Sequence, residues 1–310
     1  MPTLPRDPAD GPRPAAAQAP HRARSVAESF GTDAQRYDRA RPAYPAALLT
    51  RLTTTATATA TATDPTAAPP APPAPPAPAP SPTPLTVLDI GTGTGIAARQ
   101  FQAAGCSVLG VEPDARMADL ARSRGLPVEI ATFESWEPGG RTFDLVVAAQ
   151  SWHWVDPVAG AEKVAELLRP GGRFAIFGHV YEPPAALAEA LAAALRRVAP
   201  GSPLSGQPAR RPLSLYEAGY EKYAATLRAT GRFAAPEQWR FDWEQSCTRE
   251  EWLDLLPTTG GLTRLAPAQL SEVLREVGTA IDGLGGRFTM PWTTLATTAI
   301  RTSAGGHPTS

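Results

Sequence analysis

Short apolar runs that would have to be buried on both faces constrain this chain more than any other feature of its sequence. They fall at residues 86–90, 107–111, 128–131, 143–149 and 173–178, with helical segments at 96–104, 115–124 and 158–168 fitting between most of them. A strand that is apolar on both faces needs cover on both, so the alternation predicts a parallel α/β sheet wound as right-handed crossovers. Two helical stretches follow, at 184–198 and 215–230, and then a strand candidate at 239–246. Thr248 with Glu251 three residues later forms a capping box opening a helix through Leu256. Pro267 starts another helix, repeating Leu270, Val273, Leu274, Val277 and Ile281 at helical spacing, and residues 287–301 make the last strand.

Proline is concentrated elsewhere. Eleven of the 35 prolines lie between Pro65 and Pro84, directly after a Thr/Ala tract at 53–63. With one charge, Asp64, and no aromatic residue, this stretch has nothing to bury that would offset the entropy of ordering it. The sequence therefore predicts a disordered tail at 1–24, a short ordered helical piece at 25–52, a semi-stiff spacer of polyproline type at 53–84, one domain at 85–301 with a helical lid at about 181–237, and a flexible end at 302–310. A PxxP ligand for an aromatic groove is the sharper alternative for the spacer.

The 29 basic and 30 acidic side chains nearly cancel, which disfavours a protein that grips nucleic acid mainly through charge. The basic side is 27 Arg to 2 Lys and Asn is absent, usage that points to a GC-rich bacterial genome. No apolar run approaches the roughly 20 residues of a membrane-spanning helix, and residues 1–24 contain no signal-like apolar region, so the cytoplasm is the expected compartment. Cys106 and Cys247 have no CxxC or Cys/His spacing, so neither a disulfide framework nor a metal site is expected.

The densest chemical signal is Val87-Leu88-Asp89-Ile90-Gly91-Thr92-Gly93-Thr94-Gly95, a strand running into a glycine-rich turn and a helix. Glycine at every second position lets the backbone pass close under a ligand, where a Cβ would collide. Glu112 closes the second strand, 21 residues beyond Gly91, where an acid can accept hydrogen bonds from the hydroxyls of an adenosine ribose. The dinucleotide fingerprint is GxGxxG, whereas this loop is GxGxG with Asp89 two residues before the first glycine. That arrangement resembles the first motif of class I S-adenosylmethionine-dependent methyltransferases.

The resemblance extends to Phe133-Glu134, Gln150-Ser151-Trp152-His153-Trp154-Val155-Asp156 and Leu168-Arg169-Pro170-Gly171-Gly172. It also takes in Phe30-Gly31 and Tyr37-Asp38-Arg39-Ala40-Arg41-Pro42-Ala43-Tyr44-Pro45, similar to the segment that caps the cofactor in methyltransferase type 11 proteins, among them the trans-aconitate methyltransferase-like group. It implies a Rossmann-like seven-stranded sheet with helices on both faces and the last strand antiparallel. It also implies S-adenosylmethionine as cofactor and S-adenosylhomocysteine as product. The cofactor would be held by Asp89, Gly91, Thr92, Gly93, Gly95, Glu112 and Gln150, with Met117, Phe133 and Glu134 around the base.

The acceptor would lie over the strand ends, near residues 150–156. His153 is either a base or donor toward the acceptor or a structural histidine, and Trp152 and Trp154 either line the acceptor pocket or belong to the core. Tyr37, Arg41 and Tyr44 would fold over the cofactor, Arg41 pairing with a carboxylate or remaining a solvated charge. Tyr216, Tyr220 and Tyr223 form one helical stripe, as packing or as pocket wall. The expected reaction is methyl transfer to a small molecule, an oxygen of a small organic acid first. A phenol, quinone ring or amine is the alternative acceptor, and a non-catalytic S-adenosylmethionine-binding protein the alternative class. No nucleic acid, membrane or metal partner is implied, and the oligomeric state is not encoded in these motifs.

Overall fold

The structure is a computed structural model that describes residues 28–62, 83–200, 213–260 and 262–302. The expected tail at 1–24, most of the spacer and nearly all of the end at 302–310 lie outside the described residues. Seven strands form one sheet: β1 (Thr86–Ile90), β2 (Ser107–Glu112), β3 (Val128–Ile130), β4 (Phe143–Ala149), β5 (Leu168–Tyr181), β6 (Glu237–Thr248) and β7 (Arg287–Ile300). Their order is β3-β2-β1-β4-β5-β7-β6. The first five pair in parallel, and β7 runs antiparallel between β5 and β6.

The parallel strands behave as their sequences require. Val87, Leu88, Leu145, Val146 and Val147 are all fully buried, because residues on both faces of β1 and β4 meet helices. On one face lie α3 (Ile96–Ala103) and α4 (Ala115–Ser123), with Ala97, Ala98, Phe101 and Ala121 in a cluster with Val87, Leu145 and Phe177. On the other lie α5 (Pro157–Leu167) and α7 (Leu213–Ala229), whose Val164 and Leu227 join Leu88, Val146 and Phe174.

Two features depart from the expected boundaries. The N-terminal piece holds α1 (Ala34–Ala40) and α2 (Ala46–Ala62), so the second helix runs about ten residues beyond Leu52 into the Thr/Ala tract. Alanine favours helix enough for that, and Leu48, Leu49 and Leu52 anchor α2 to the sheet's core. The expected lid divides. Between β5 and α7, α6 (Ala185–Val198) packs on α9 (Pro267–Asp282), with Leu187, Leu195, Val273 and Val277 in one cluster, whereas α7 covers the sheet. Tyr220 and Tyr223 of the aromatic stripe pack against that core. The capping box at Thr248 and Glu251 is present at the start of α8 (Arg249–Leu255).

Charge fixes α1 from two sides. Asp38, with a side chain only 4% exposed, accepts from Arg99 at 2.6 Å and lies 2.9 Å from Arg124, while Asp254 of α8 binds both Arg36 and Arg39. If α2 is a full member of the core, Leu52→Ala will cost about 2–5 kcal/mol in chemical denaturation, the range for truncating a fully buried leucine. A loss below 1 kcal/mol would detach the helix from the folding unit.

Candidate functional site

The site sits where the strand order reverses, between β1 and β4, at the carboxyl ends of the parallel strands. That is the usual ligand position in open α/β sheets. The chain leaves β1 through Gly91, Gly93 and Gly95, whose φ values of +63°, +57° and +85° are left-handed and suit glycine. A Cβ on Gly91 would lie 2.6 Å from the Cβ of Ser151, so β1 and β4 could not close at this point with a larger residue. At the end of β4, Gln150 takes φ +58°, the one non-glycine with positive φ among the described residues. Its backbone amide donates to the Phe177 carbonyl and its side-chain amide to that of His179.

Glu112 joins the loop to β2. Its Oε2 accepts from the Gly93 amide at 2.8 Å and its Oε1 from the Asp114 amide at 2.9 Å. Burial nonetheless pushes its pKa up to about 7 against those two hydrogen bonds. Asp89 is fully buried beneath the loop. One carboxylate oxygen accepts from the Thr92 hydroxyl at 2.7 Å, and the other has no hydrogen-bond partner. Burial raises its pKa to about 7, with the Glu112 charge adding in the same direction.

Over this floor lies a cavity of about 730 Å³, within the size range of small-molecule sites. It runs from Glu112, Met117 and Phe133 at the ends of β2 and β3, past Gln150, His153 and Trp154, to Tyr181 and Leu191 under α6. Phe30 and Tyr37 form part of its wall, edge to face with ring centroids 6.0 Å apart. A smaller space of about 90 Å³ adjoins it between the loop, Ile96 and Ala97 at the start of α3, Arg41 and Tyr44.

The expected site residues fall into three groups. Gly91, Gly93, Glu112, Met117, Phe133, Glu134, Gln150, Tyr37, Arg41, His153 and Trp154 all line the large cavity. Thr92 and Tyr44 line the small one. Tyr44 is buried, with its ring stacked on His179 at 4.4 Å, and Gln100 satisfies both its backbone groups. Asp89, Gly95 and Trp152 line neither. Gly95 faces Leu126 and Arg99, and Asp89 supports the loop through Thr92. Trp152 is a correction to the pocket reading: it is 2% exposed and packs edge-on against Phe174 at 4.8 Å, because the turn after β4 directs this one indole into the core under the sheet while its neighbours border the cavity.

Arg41 is anchored rather than solvated. Its Nε donates to the Thr258 hydroxyl at 3.0 Å and its Nη2 to the Thr258 carbonyl, and the guanidinium lies 4.9 Å from the Tyr37 ring centre. His153 is exposed to the cavity beside the Trp154 ring, with no hydrogen bond from the protein to either nitrogen among the described residues. Desolvation by the protein around the cavity pulls its pKa down to about 4, so the imidazole is neutral at pH 7.

His179, Tyr181, Ser151, Thr259 and Leu262 also line the cavity and were not singled out for the site in the sequence. Ser151 lies inside a recognised motif, but its role depends on its hydroxyl donating to the Ile90 carbonyl across the strand gap. His179 accepts or donates at Nδ1 to Thr294 at 2.9 Å. Its Nε2 is buried without a hydrogen-bond partner among the described residues.

This sheet has the Rossmann-like methyltransferase architecture. The chain belongs to the methyltransferase domain family, whose sequence profile matches residues 37–199. Over 75 residues it is 40% identical to uncharacterized methyltransferases of Mycobacterium bovis and Mycobacterium tuberculosis, a match covering 23% of this chain and 30% of each relative. The chain thus aligns with less than a third of those relatives' length. A protein described as a type II methyltransferase from Anaeromyxobacter dehalogenans shares the fold, with a TM-score of 0.51 at 20% identity over 84% of this chain and 97% of that one.

S-Adenosylmethionine is the cofactor of this family, and the residues present fit it. The unpartnered oxygens of Asp89 and Thr94 lie at and below the glycine loop, and the two buried carboxylates favour a ligand with a net positive charge. Among the described residues no helix is long and apolar enough to cross a membrane, and no group of three or more His, Cys, Asp or Glu could hold a metal.

The raised carboxyl pKa fixes the sign of a pH effect. Asp89 binds a proton more tightly folded than unfolded, so its contribution to stability is full below the unfolded value near 3.8 and is lost as pH rises through about 7. Asp89→Asn will therefore gain stability relative to the parent between pH 5 and pH 8 in urea titrations. A constant difference across that range would show that Asp89 titrates normally.

Proposed function

We propose that this chain transfers a methyl group from S-adenosylmethionine to an oxygen of a small molecule. The observation that carries the reading is the cavity crossing from Glu112 to His153 over a glycine loop tied to Glu112 itself. The cofactor, when bound, supplies a sulfonium methyl that is transferred with the carbon–sulfur bond pair left on sulfur.

The chain's own residues hold and orient. Glu112, its two oxygens already fixed by backbone amides, has lone pairs left for ribose hydroxyls. Met117 and Phe133 offer apolar faces to the base, and Glu134 stands at the same end. The amino-acid end belongs in the smaller space, where Arg41 has Nη1 uncommitted among its described contacts and the first turn of α3 favours a carboxylate. Tyr37 and Phe30 exclude water from above.

His153 then accepts a hydrogen bond from the acceptor's hydroxyl and directs its lone pair. Its low pKa means that the proton passes on to water rather than staying on the ring. Holding nucleophile and methyl in line is the main source of rate, worth roughly 7–11 kcal/mol in favourable cases. The resemblance to the trans-aconitate methyltransferase-like group supports an organic acid as acceptor, whereas Arg41, with its remaining nitrogen toward the cofactor's amino-acid end, is not free to pair with a second carboxylate.

Calorimetry tests the cofactor half. S-Adenosylmethionine will bind, and Glu112→Ala will weaken it tenfold or more, on the scale of roughly 1.5–3 kcal/mol for a charged hydrogen bond. No binding at millimolar concentration would refute the enzyme reading. For the acceptor half, His153→Ala will lower turnover at least tenfold while leaving cofactor affinity unchanged; full activity would make His153 a bystander.

A further inference from the structure

The cavity wall beyond the cofactor residues is largely apolar. From α6 it receives Ala188, Leu191, Ala192 and Leu195, and Leu262 and Val180 continue the same surface. Ala188 and Leu195 are buried, so this wall is a formed part of the α6–α9 packing. Four carboxyl groups line the cavity, Glu112, Glu134, Asp156 and Glu182, against one guanidinium, Arg41, among the described residues.

Arg41 also lines the smaller space beside the loop. It borders both spaces, and two of its three nitrogens are bonded to Thr258. If the remaining nitrogen receives the cofactor's carboxylate, an anionic acceptor finds no second guanidinium or ammonium group among the described lining residues. Desolvating an unpaired carboxylate against such a surface is costly. His153 is neutral, lines the cavity and has no hydrogen bond to its ring among the described residues, which suits a hydroxyl and offers an anion little.

We propose that the acceptor is an uncharged, largely apolar molecule bearing a hydroxyl, its ring or chain lying along the α6 face and its hydroxyl on His153. This rests on the methyl-transfer reading and narrows its substrate class away from organic acids. The acceptor oxygen forms the new bond to the methyl carbon, the carbon–sulfur pair goes to sulfur as the neutral thioether, and the hydroxyl proton leaves by way of His153 to water.

Three probes with one ring system separate the classes: 2-naphthol, 2-naphthoate and 2-naphthylmethylamine. Each is titrated calorimetrically at pH 7.5 into the full chain with S-adenosylhomocysteine present. The naphthol will bind at least tenfold more tightly than either charged probe. Leu191→Asp will weaken naphthol at least tenfold with the affinity for S-adenosylhomocysteine unchanged, and Leu191→Ala gives the same direction if the aspartate variant does not fold. Naphthoate or amine binding as tightly as naphthol, no binding of any of the three at millimolar concentration, or naphthol affinity unaltered in both variants overturns the proposal. Failure of the full chain to bind S-adenosylhomocysteine in the same calorimeter is a separate result, and it refutes the methyl-transfer reading whichever probe binds.

Discussion

The hydrogen bond from the Gly93 amide to Glu112 is the contact on which the site depends. It ties the turn after β1 to the end of β2 and leaves a carboxylate facing the cavity. A carboxylate in so buried a position needs donors, and the Gly93 and Asp114 amides supply them, yet burial still raises its pKa to about 7. Asp89 beneath the loop is in the same condition, with one oxygen satisfied by Thr92. Two carboxyl groups held this way in the ligand-free protein form a floor that a cation relieves, which links the sheet's geometry directly to the ligand's charge.

Around that floor the walls come from distant parts of the chain. The N-terminal segment supplies Phe30, Tyr37 and Arg41, clamped through Asp38 to Arg99 and Arg124 on one side and through Arg36 and Arg39 to Asp254 on the other. The segment after β5 supplies α6, held by its packing on α9. Neither wall closes by its own propensity. Each is kept in place by a buried acid or an apolar face that would otherwise be exposed.

Much of this was legible before any coordinates. β4 falls at the expected residues, β1 likewise, and Thr248 and Glu251 cap α8 as their spacing requires. Period and capping are local, so they survive folding unchanged. The course of α2 past Leu52 was not legible, because a Thr/Ala tract reads as helix or coil according to what its leucines can bury. Trp152 and Trp154 look alike in sequence, but one packs on Phe174 and the other borders the cavity. Only the direction in which the turn leaves β4 separates them.

The sequence by itself determined the parallel sheet, the glycine loop with its acid 21 residues on, and through them the methyltransferase domain family, because each depends on spacing within a short stretch. Tertiary structure alone decided the character of the cavity wall under α6. Ala188, Leu191 and Leu262 become one surface, and Arg41 becomes its one cation among the described residues, only when segments far apart in the chain pack together. Long-range packing sets which charges share a cavity, and no local pattern carries that information.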